Sequence, residues 1–238
     1  IWMNTQRPEW NDANNALVGK GLSVVTAAYL RRYIVFCRGL VAAGGSSFRL
    51  SSEVTELLAA VHSILEEYQS QLAGTFDPPT RRAFMDALGT VAGDYRWLYY
   101  HDGLSGEVAD VASGDVLALL DLAVAYVDHT LRAARRADGL YHAYNILRLS
   151  AGEASVTNLY EMLEGQVAVL SSGLLTGGEA LALLHTLRGS KLYRADQHSY
   201  ILYPDRELPG FLRKNQVAPR QVEGLALVAA LAQRGDRT

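Results

Sequence analysis

The sequence predicts an all-α domain, and three observations carry that prediction. Apolar residues recur at three-and-four spacing in six or seven stretches, each roughly 15 to 25 residues long. Capping and breaking residues punctuate those stretches, and the connections are short, which makes successive helices antiparallel neighbours stacked as hairpins. No fixed repeat period stands out, so the pattern is not that of a solenoid with near-identical units.

In chain order, a polar segment is followed by a first helix that carries Arg31, Arg32 and Cys37. From Val54, the positions Leu57, Leu58, Val61, Ile64, Leu65, Tyr68 and Leu72 form a helical stripe. Ser51 or Ser52 caps its start, Glu53 suits the positive helix end, and Gly74 ends it. Asp77-Pro78 opens the next helix, with Phe84, Leu88, Val91, Tyr95 and Leu98 on one face. A further long helix from about Asp115 carries Val116, Leu119, Leu120, Ala123, Val127 and Leu131, and Asp138-Gly139 stops the chain after it. Leu140 to Leu149 is aromatic and aliphatic without a helical stripe, and reads as an extended segment. Another helix is expected from near Ser155 through Leu159, Met162, Leu163, Val167 and Leu170. Thr176 and Glu179 make a capping box for a helix ending near Leu187. Residues 189 to 219 read as irregular and aromatic, and a short helix from Arg220 to Ala232 closes the chain.

With 238 residues, 49% of them hydrophobic, the chain can bury one sizeable core, and residues 1–238 are expected to form one domain. A net charge of -3 supplies no basic field for nucleic acid or an anionic membrane. No apolar run reaches the roughly 18 residues needed to span a bilayer. The lone Cys37 has no partner for an internal disulfide and reads as a small core residue; a reducing cytoplasm fits it. No Cys pair or His-x-x-x-His spacing suggests a metal, and no glycine-rich phosphate loop suggests a nucleotide cofactor. The chain opens Ile1-Trp2-Met3, as if cut from a longer protein.

The segment from Asn4 to Asn15 differs in kind. It packs Asn4, Gln6, Arg7, Glu9, Trp10, Asn11, Asp12, Asn14 and Asn15 before the first helix. Capping explains one or two of these residues, but not Trp10 among so many side-chain amides. Sugars call for this mixture, because their hydroxyls both donate and accept while their C–H faces lie against an indole ring. Breaking a glycosidic bond also needs a carboxylic acid to protonate the leaving oxygen.

Glu9-Trp10-Asn11-Asp12-Ala13-Asn14-Asn15 resembles the Asp-Trp-Asn-Asp-Gly-Met-Asn motif of cellobiose and chitobiose phosphorylases, members of the six-hairpin glycosidase superfamily. The resemblance implies that this chain is the C-terminal portion of a larger (α/α)6 barrel catalytic domain. It further implies that Asp12 is the general acid and that Trp10 lies in the sugar site. Arg7, Asn11, Asn14 and Asn15 are then candidates to shape the sugar subsite. Glu9 stands where the family has Asp, Ala13 where it has Gly, and Asn14 where it has Met. The segments Tyr141-His142-Ala143-Tyr144-Asn145 and Tyr200-Ile201-Leu202-Tyr203-Pro204-Asp205 look like those of large uncharacterised proteins with the same motif.

Either water or inorganic phosphate can be the nucleophile. A phosphorylase needs one enzymic acid and uses phosphate as co-substrate, whereas an inverting hydrolase needs a second carboxylate to activate water. Glu9 is the nearest candidate base, although it can instead pair with Arg7 or orient Asp12. Glu153, Asp196 and Asp205 lie in segments read as irregular. Tyr141, His142, Tyr144 and Asn145 are candidates to line a sugar subsite. His198 with Arg194 and Arg206 can hold a phosphate or a carboxylated sugar, or decorate a solvated loop. His62, His129 and His185 read as structural. The expected partners are an oligosaccharide or disaccharide and the remainder of the parent chain. The alternative is a non-catalytic helical module that binds a glycan or a protein.

Overall fold

In the computed structural model, which describes Leu17 and residues 20–235, four of the longer helices start at a side-chain cap. After a short strand β1 (Gly21–Ser23), Ser23 caps α1 (Val24–Ala43) by accepting from the Thr26 N–H at 3.0 Å. Strand β2 (Ser47–Ser51) runs into α2 (Ser52–Glu67), capped by Ser51, and a 3-10 turn (Gln69–Ala73) follows. Asp77 caps α3 (Pro78–His101) through the Thr80 N–H at 2.7 Å. Strand β3 (Val108–Ala112), α4 (Ser113–Ala133), and the hairpin β4 (Tyr144–Ser150) with β5 (Glu153–Asn158) come next. Helices α5 (Leu163–Ser171) and α6 (Gly177–Arg188) then precede the two-residue strands β6 (Tyr193–Arg194) and β7 (Ser199–Tyr200). The expected capping box of α6 is formed, with Thr176 and Glu179 each bonding the other's backbone.

The chain divides into two compact units at Pro204 and Asp205. The second holds α7 (Phe211–Lys214), α8 (Pro219–Val222) and α9 (Ala226–Gln233). The single terminal helix expected from Arg220 is thus two, interrupted at Gly224, whose φ of 85° no helix continues.

The protein is mostly helical, and among the described residues it also holds small antiparallel sheets: β1-β4-β5, β2-β3 and β6-β7. The extended reading of residues 140–149 holds for β4, but three strands depart from the helical expectation. Residues 155–158 pair with β4 instead of opening a helix, because Leu147↔Val156 and Asn145↔Asn158 cross-strand pairing outweighs a weak helical spacing. Strands β2 and β3 form an exposed two-stranded ribbon, each too short for its period-2 pattern to register beside longer helices.

Helix α1 packs most extensively against α4. Arg31 pairs with Asp128 at 2.5 Å and Arg38 pairs with Asp121, so moving seven residues along α1 moves the partner seven back along α4: the two are antiparallel. One apolar core joins α1, α4, α5 and α6 through residues such as Ala28, Val127, Leu131, Val169 and Leu187. A second lies where α2, α3 and α4 meet; there Phe84 stacks on Tyr126 at 5.2 Å, and the Tyr126 hydroxyl donates to the Leu65 carbonyl. Leu17 joins a third cluster with Ala143, Tyr144 and Met162. Tyr29, Tyr33, Phe36 and Leu40, at helical spacing along α1, are exposed. Cys37, expected in the core, is partly exposed beside them. Among the described residues no helix is long and apolar enough to cross a membrane.

Two helical glycines separate packing from propensity. A Cβ on Gly165 meets the Ala143 Cα and N at 3.0 and 3.1 Å, backbone atoms that cannot step aside, whereas nothing lies within 4 Å of one on Gly89. Gly165→Ala is expected to cost roughly 1–3 kcal/mol through overpacking, and Gly89→Ala to gain roughly 1 kcal/mol through helix propensity. Urea denaturation of the two variants checks this; equal shifts in midpoint would refute the close approach of α5.

Candidate functional site

The segment from Leu140 to Asn145 enters β4 with its backbone polar groups accounted for one by one. Arg136 N–H donates to the Leu140 carbonyl and His142 N–H to that of Ala134. Val24 N–H, at the first turn of α1, donates to the Ala143 carbonyl. Tyr141 has both backbone groups held by Gln166, whose Oε1 accepts at 2.8 Å while its Nε2 donates at 2.7 Å. Gln166 is fully buried, and the same Nε2 also donates to the Met162 carbonyl.

The four side chains singled out here from sequence are all buried. Tyr141 packs in the core shared by α1, α4, α5 and α6. His142 donates from Nδ1 to the Leu159 carbonyl at 3.0 Å, and burial lowers its pKa, with that hydrogen bond opposing the shift in part. Tyr144 donates its hydroxyl to Glu164 Oε2 at 3.0 Å. Burial raises the pKa of both partners, and the Tyr144 hydrogen bond only partly offsets this for the carboxyl. The Asn145 side-chain amide makes no hydrogen bond, and its Oδ1 is a buried acceptor without a partner.

Asn145 lines a cavity of about 330 Å³. Its floor is one transverse row of the β1-β4-β5 sheet: Leu22 lies opposite Asn145, and Asn145 opposite Asn158, so the three share a face. Ser23 and Val24 bring the N-terminus of α1 to the cavity, and Phe76 and Arg81 bring that of α3. Phe84, Tyr126 and His129 complete the aromatic wall, with Phe76 edge-on to the His129 ring at 5.6 Å.

Arg81 and His129 carry the cavity's polarity. Arg81 donates to the carbonyls of Ala154 in β5 and Phe76 before α3, at 2.9 and 2.6 Å. It makes no ion pair with a carboxylate among the described residues, and burial lowers its pKa although Asp77 offsets part of this. His129 donates from Nε2 to the Gly74 carbonyl at 2.6 Å. Neither Asp nor Glu occurs among the described lining residues. Sequence reading placed His129 with the structural histidines and passed over Arg81 and Asn158. Arg81 reads as an ordinary first-turn helix residue, and only the strand register brings Asn158 beside Asn145.

Arg7, Glu9, Trp10, Asn11, Asp12, Asn14 and Asn15 lie outside the described residues. Of the other candidates, Asp196 pairs with Arg194 at 2.8 Å, and Glu153 is exposed at the start of β5. His198 takes a positive φ of 49° in the turn between β6 and β7. No group of three or more His, Cys, Asp and Glu side chains suited to a metal occurs among the described residues. No protein-family model matches the chain, and no curated protein matches it.

The Tyr144–Glu164 pair has a pH signature. A carboxyl whose folded pKa lies above its ordinary value of 4.5 favours the fold most when protonated, and that contribution is lost as pH rises through the folded value. Glu164→Gln keeps an acceptor for the Tyr144 hydroxyl and removes the charge. The variant is expected to melt at or above wild type at pH 7, with wild type gaining on it as pH falls through the raised folded value to 4.5 and no further gain below that. Thermal melts across that range test the sign; a variant destabilised only at neutral pH would mean that Glu164 is stabilised as a carboxylate.

Proposed function

We propose that the chain is part of an (α/α)6 barrel catalytic domain of a carbohydrate-active enzyme, which cleaves or transfers glycosidic bonds with Asp12 as general acid. The observation that carries this reading is the Glu9-Trp10-Asn11-Asp12 sequence, set among side-chain amides just ahead of the first helix. In this reading Asp12 protonates the glycosidic oxygen as the bond to the anomeric carbon breaks. Trp10, Arg7, Asn11, Asn14 and Asn15 shape the sugar subsite. Glu9 activates water if the enzyme is a hydrolase; inorganic phosphate attacks instead if it is a phosphorylase. No metal or organic cofactor takes part, and a cytoplasmic setting belongs to the same reading.

Three features support it. The helical architecture with antiparallel packing of α1 on α4 is compatible with a barrel of hairpins. Leu17, five positions after Asp12 in the sequence, packs with Ala143 and Tyr144. The exposed stripe of Tyr29, Tyr33, Phe36 and Leu40 is the kind of surface that further hairpins of a longer parent chain would cover. One observation favours the non-catalytic reading, a helical module that binds a glycan: the described cavity wall offers no carboxylate to act as a base.

The test is cleavage of a disaccharide panel by the full-length protein, with and without inorganic phosphate. Asp12→Asn is expected to lower kcat roughly 10²- to 10⁴-fold, the contribution of a positioned general acid, while the thermal melt and sugar binding stay nearly unchanged. Sugar phosphate formed only with phosphate identifies a phosphorylase, and free sugar formed regardless identifies a hydrolase. Undiminished activity of the variant would remove Asp12 from the mechanism, and absence of any product from wild type would leave the binding module.

A further inference from the structure

We propose that the cavity bounded by the Leu22–Asn145–Asn158 row and the N-termini of α1 and α3 binds a single hydroxylated ring bearing an oxyanion substituent, a sugar acid or a sugar phosphate. The hydroxylated ring rests on the carbohydrate reading above; the negative charge is inferred from the cavity alone.

The ring is argued from the sheet. Antiparallel pairing sets Asn145 and Asn158 side by side on the cavity face, so two amides offer donors and acceptors to adjacent hydroxyls. Asn145 is 8% exposed and its Oδ1 is buried without a hydrogen-bond partner. A buried amide left without a hydrogen bond is costly, and a ligand hydroxyl would satisfy it. Phe76 and Tyr126 add the apolar area against which the C–H faces of a sugar pack. At about 330 Å³ the cavity sits at the small end of ligand sites and suits one ring, not a chain.

The charge is argued from Arg81. Its guanidinium has five N–H groups, and the two hydrogen bonds it makes both go to neutral carbonyls. It forms no ion pair with a carboxylate among the described residues, and the described lining adds no acid. Ser23 and Val24 bring the N-terminus of α1 to the same space, whereas the start of α3 carries Pro78 and Pro79, which have no N–H, and the Asp77 cap. The Arg81 cation is therefore the group that favours an anion here. The spare Arg81 donors suit the flat oxygen pair of a carboxylate or the oxygens of a phosphate.

Calorimetric titration of the full chain with glucose, glucuronate, glucose 6-phosphate, inorganic phosphate and acetate tests both halves. Glucuronate or glucose 6-phosphate is expected to bind at least tenfold more tightly than glucose, and the preferred one identifies the substituent. Asn158→Ala, at an exposed strand position, keeps the fold and is expected to weaken the sugar acids roughly tenfold, the loss of one hydrogen bond. Asn145→Leu is expected to abolish ring binding while the melting temperature stays level or rises, which separates a lost ligand from a lost fold. Arg81→Lys retains part of the preference for anions, and Arg81→Gln removes it. Glucose binding as tightly as glucuronate would overturn the charge. Phosphate or acetate binding as tightly as the sugar acids, and indifferent to Asn158→Ala, would overturn the ring. No binding by any probe, in a protein whose Asp12-dependent cleavage persists, would overturn this proposal and leave the catalytic reading standing. Sugar-acid binding in a protein without turnover would do the reverse.

Discussion

The amide of Gln166 and the missing side chain of Gly165 decide where the β4 strand begins, and the rest of the cavity follows from that. Gly165 lets the first turn of α5 close onto Ala143, and Gln166 then makes both backbone hydrogen bonds of Tyr141 from a position with no exposure to solvent. Three hydrogen bonds from one fully buried side chain leave it little freedom to move. With residues 141 to 143 held, Tyr144 pairs with Ser23 and Asn145 with Leu22 and Asn158. A slip of one residue would turn Asn145 away from the cavity and bring Tyr144 or Ile146 in its place, because the side-chain period of a strand is two. Register here is thus fixed by side-chain hydrogen bonding from a helix, and only secondarily by the three short strands themselves.

Arg81 holds the opposite wall. By donating to Phe76 and Ala154 it fastens the start of α3 to the second strand of the hairpin. The short α1–β4 link is closed by the Val24 N–H on the Ala143 carbonyl. Two helix starts and one sheet face therefore converge through backbone carbonyls, which leaves Arg81 without a carboxylate ion pair among the described residues, its charge offset only in part by Asp77. A carboxylate in its place would have neutralised the cavity; carbonyls orient the guanidinium without removing its charge.

Local chemistry of this protein was legible in the sequence where a residue acts on its own neighbours. Ser51, Asp77 and the Thr176–Glu179 box mark their helices because a cap reaches only two or three residues along the chain. Pairing between distant segments was less legible. Val156, Leu159 and Met162 carry a spacing that fits a helix, and only the presence of β4 alongside turns the first of them into a strand residue. The extended character of residues 144–149 could be seen because aromatic and aliphatic residues occur there without a helical stripe. Asn145 attracted notice as a polar residue in that apolar run. Asn158, Arg81 and His129 did not, since each is unremarkable in its own segment and gains meaning from partners 13 to 73 positions away. The amide-rich motif around Asp12 was legible as composition, which no local capping role accounts for.

The direction in which each ionisable group is shifted separates groups that hold the fold from groups the fold tolerates. Glu53, with its pKa lowered to about 2 by the Ser105 hydroxyl and N–H, is stabilised in its charged form, as is Glu179, also lowered to about 2, in its capping box beside Arg132. Asp77, Asp138 and Asp196 behave the same way through caps and arginine neighbours. These are ends of helices and turns, where ionisation and folding favour one another. Arg81, His142 and Glu164 are shifted the other way, each with burial as the leading cause. All three bond to the β4–β5 hairpin or the residue just after it, at Ala154, Leu159 and Tyr144. With the unpartnered Asn145 Oδ1 they place four buried or part-buried polar groups around one hairpin, although Glu53 Oε2 and the Tyr126 hydroxyl are buried elsewhere. Stability alone would have selected apolar side chains at such positions, which replace buried polar groups at little or no loss. Of these groups Arg81 and Asn145 line the cavity, where the proposed ligand would use their polarity.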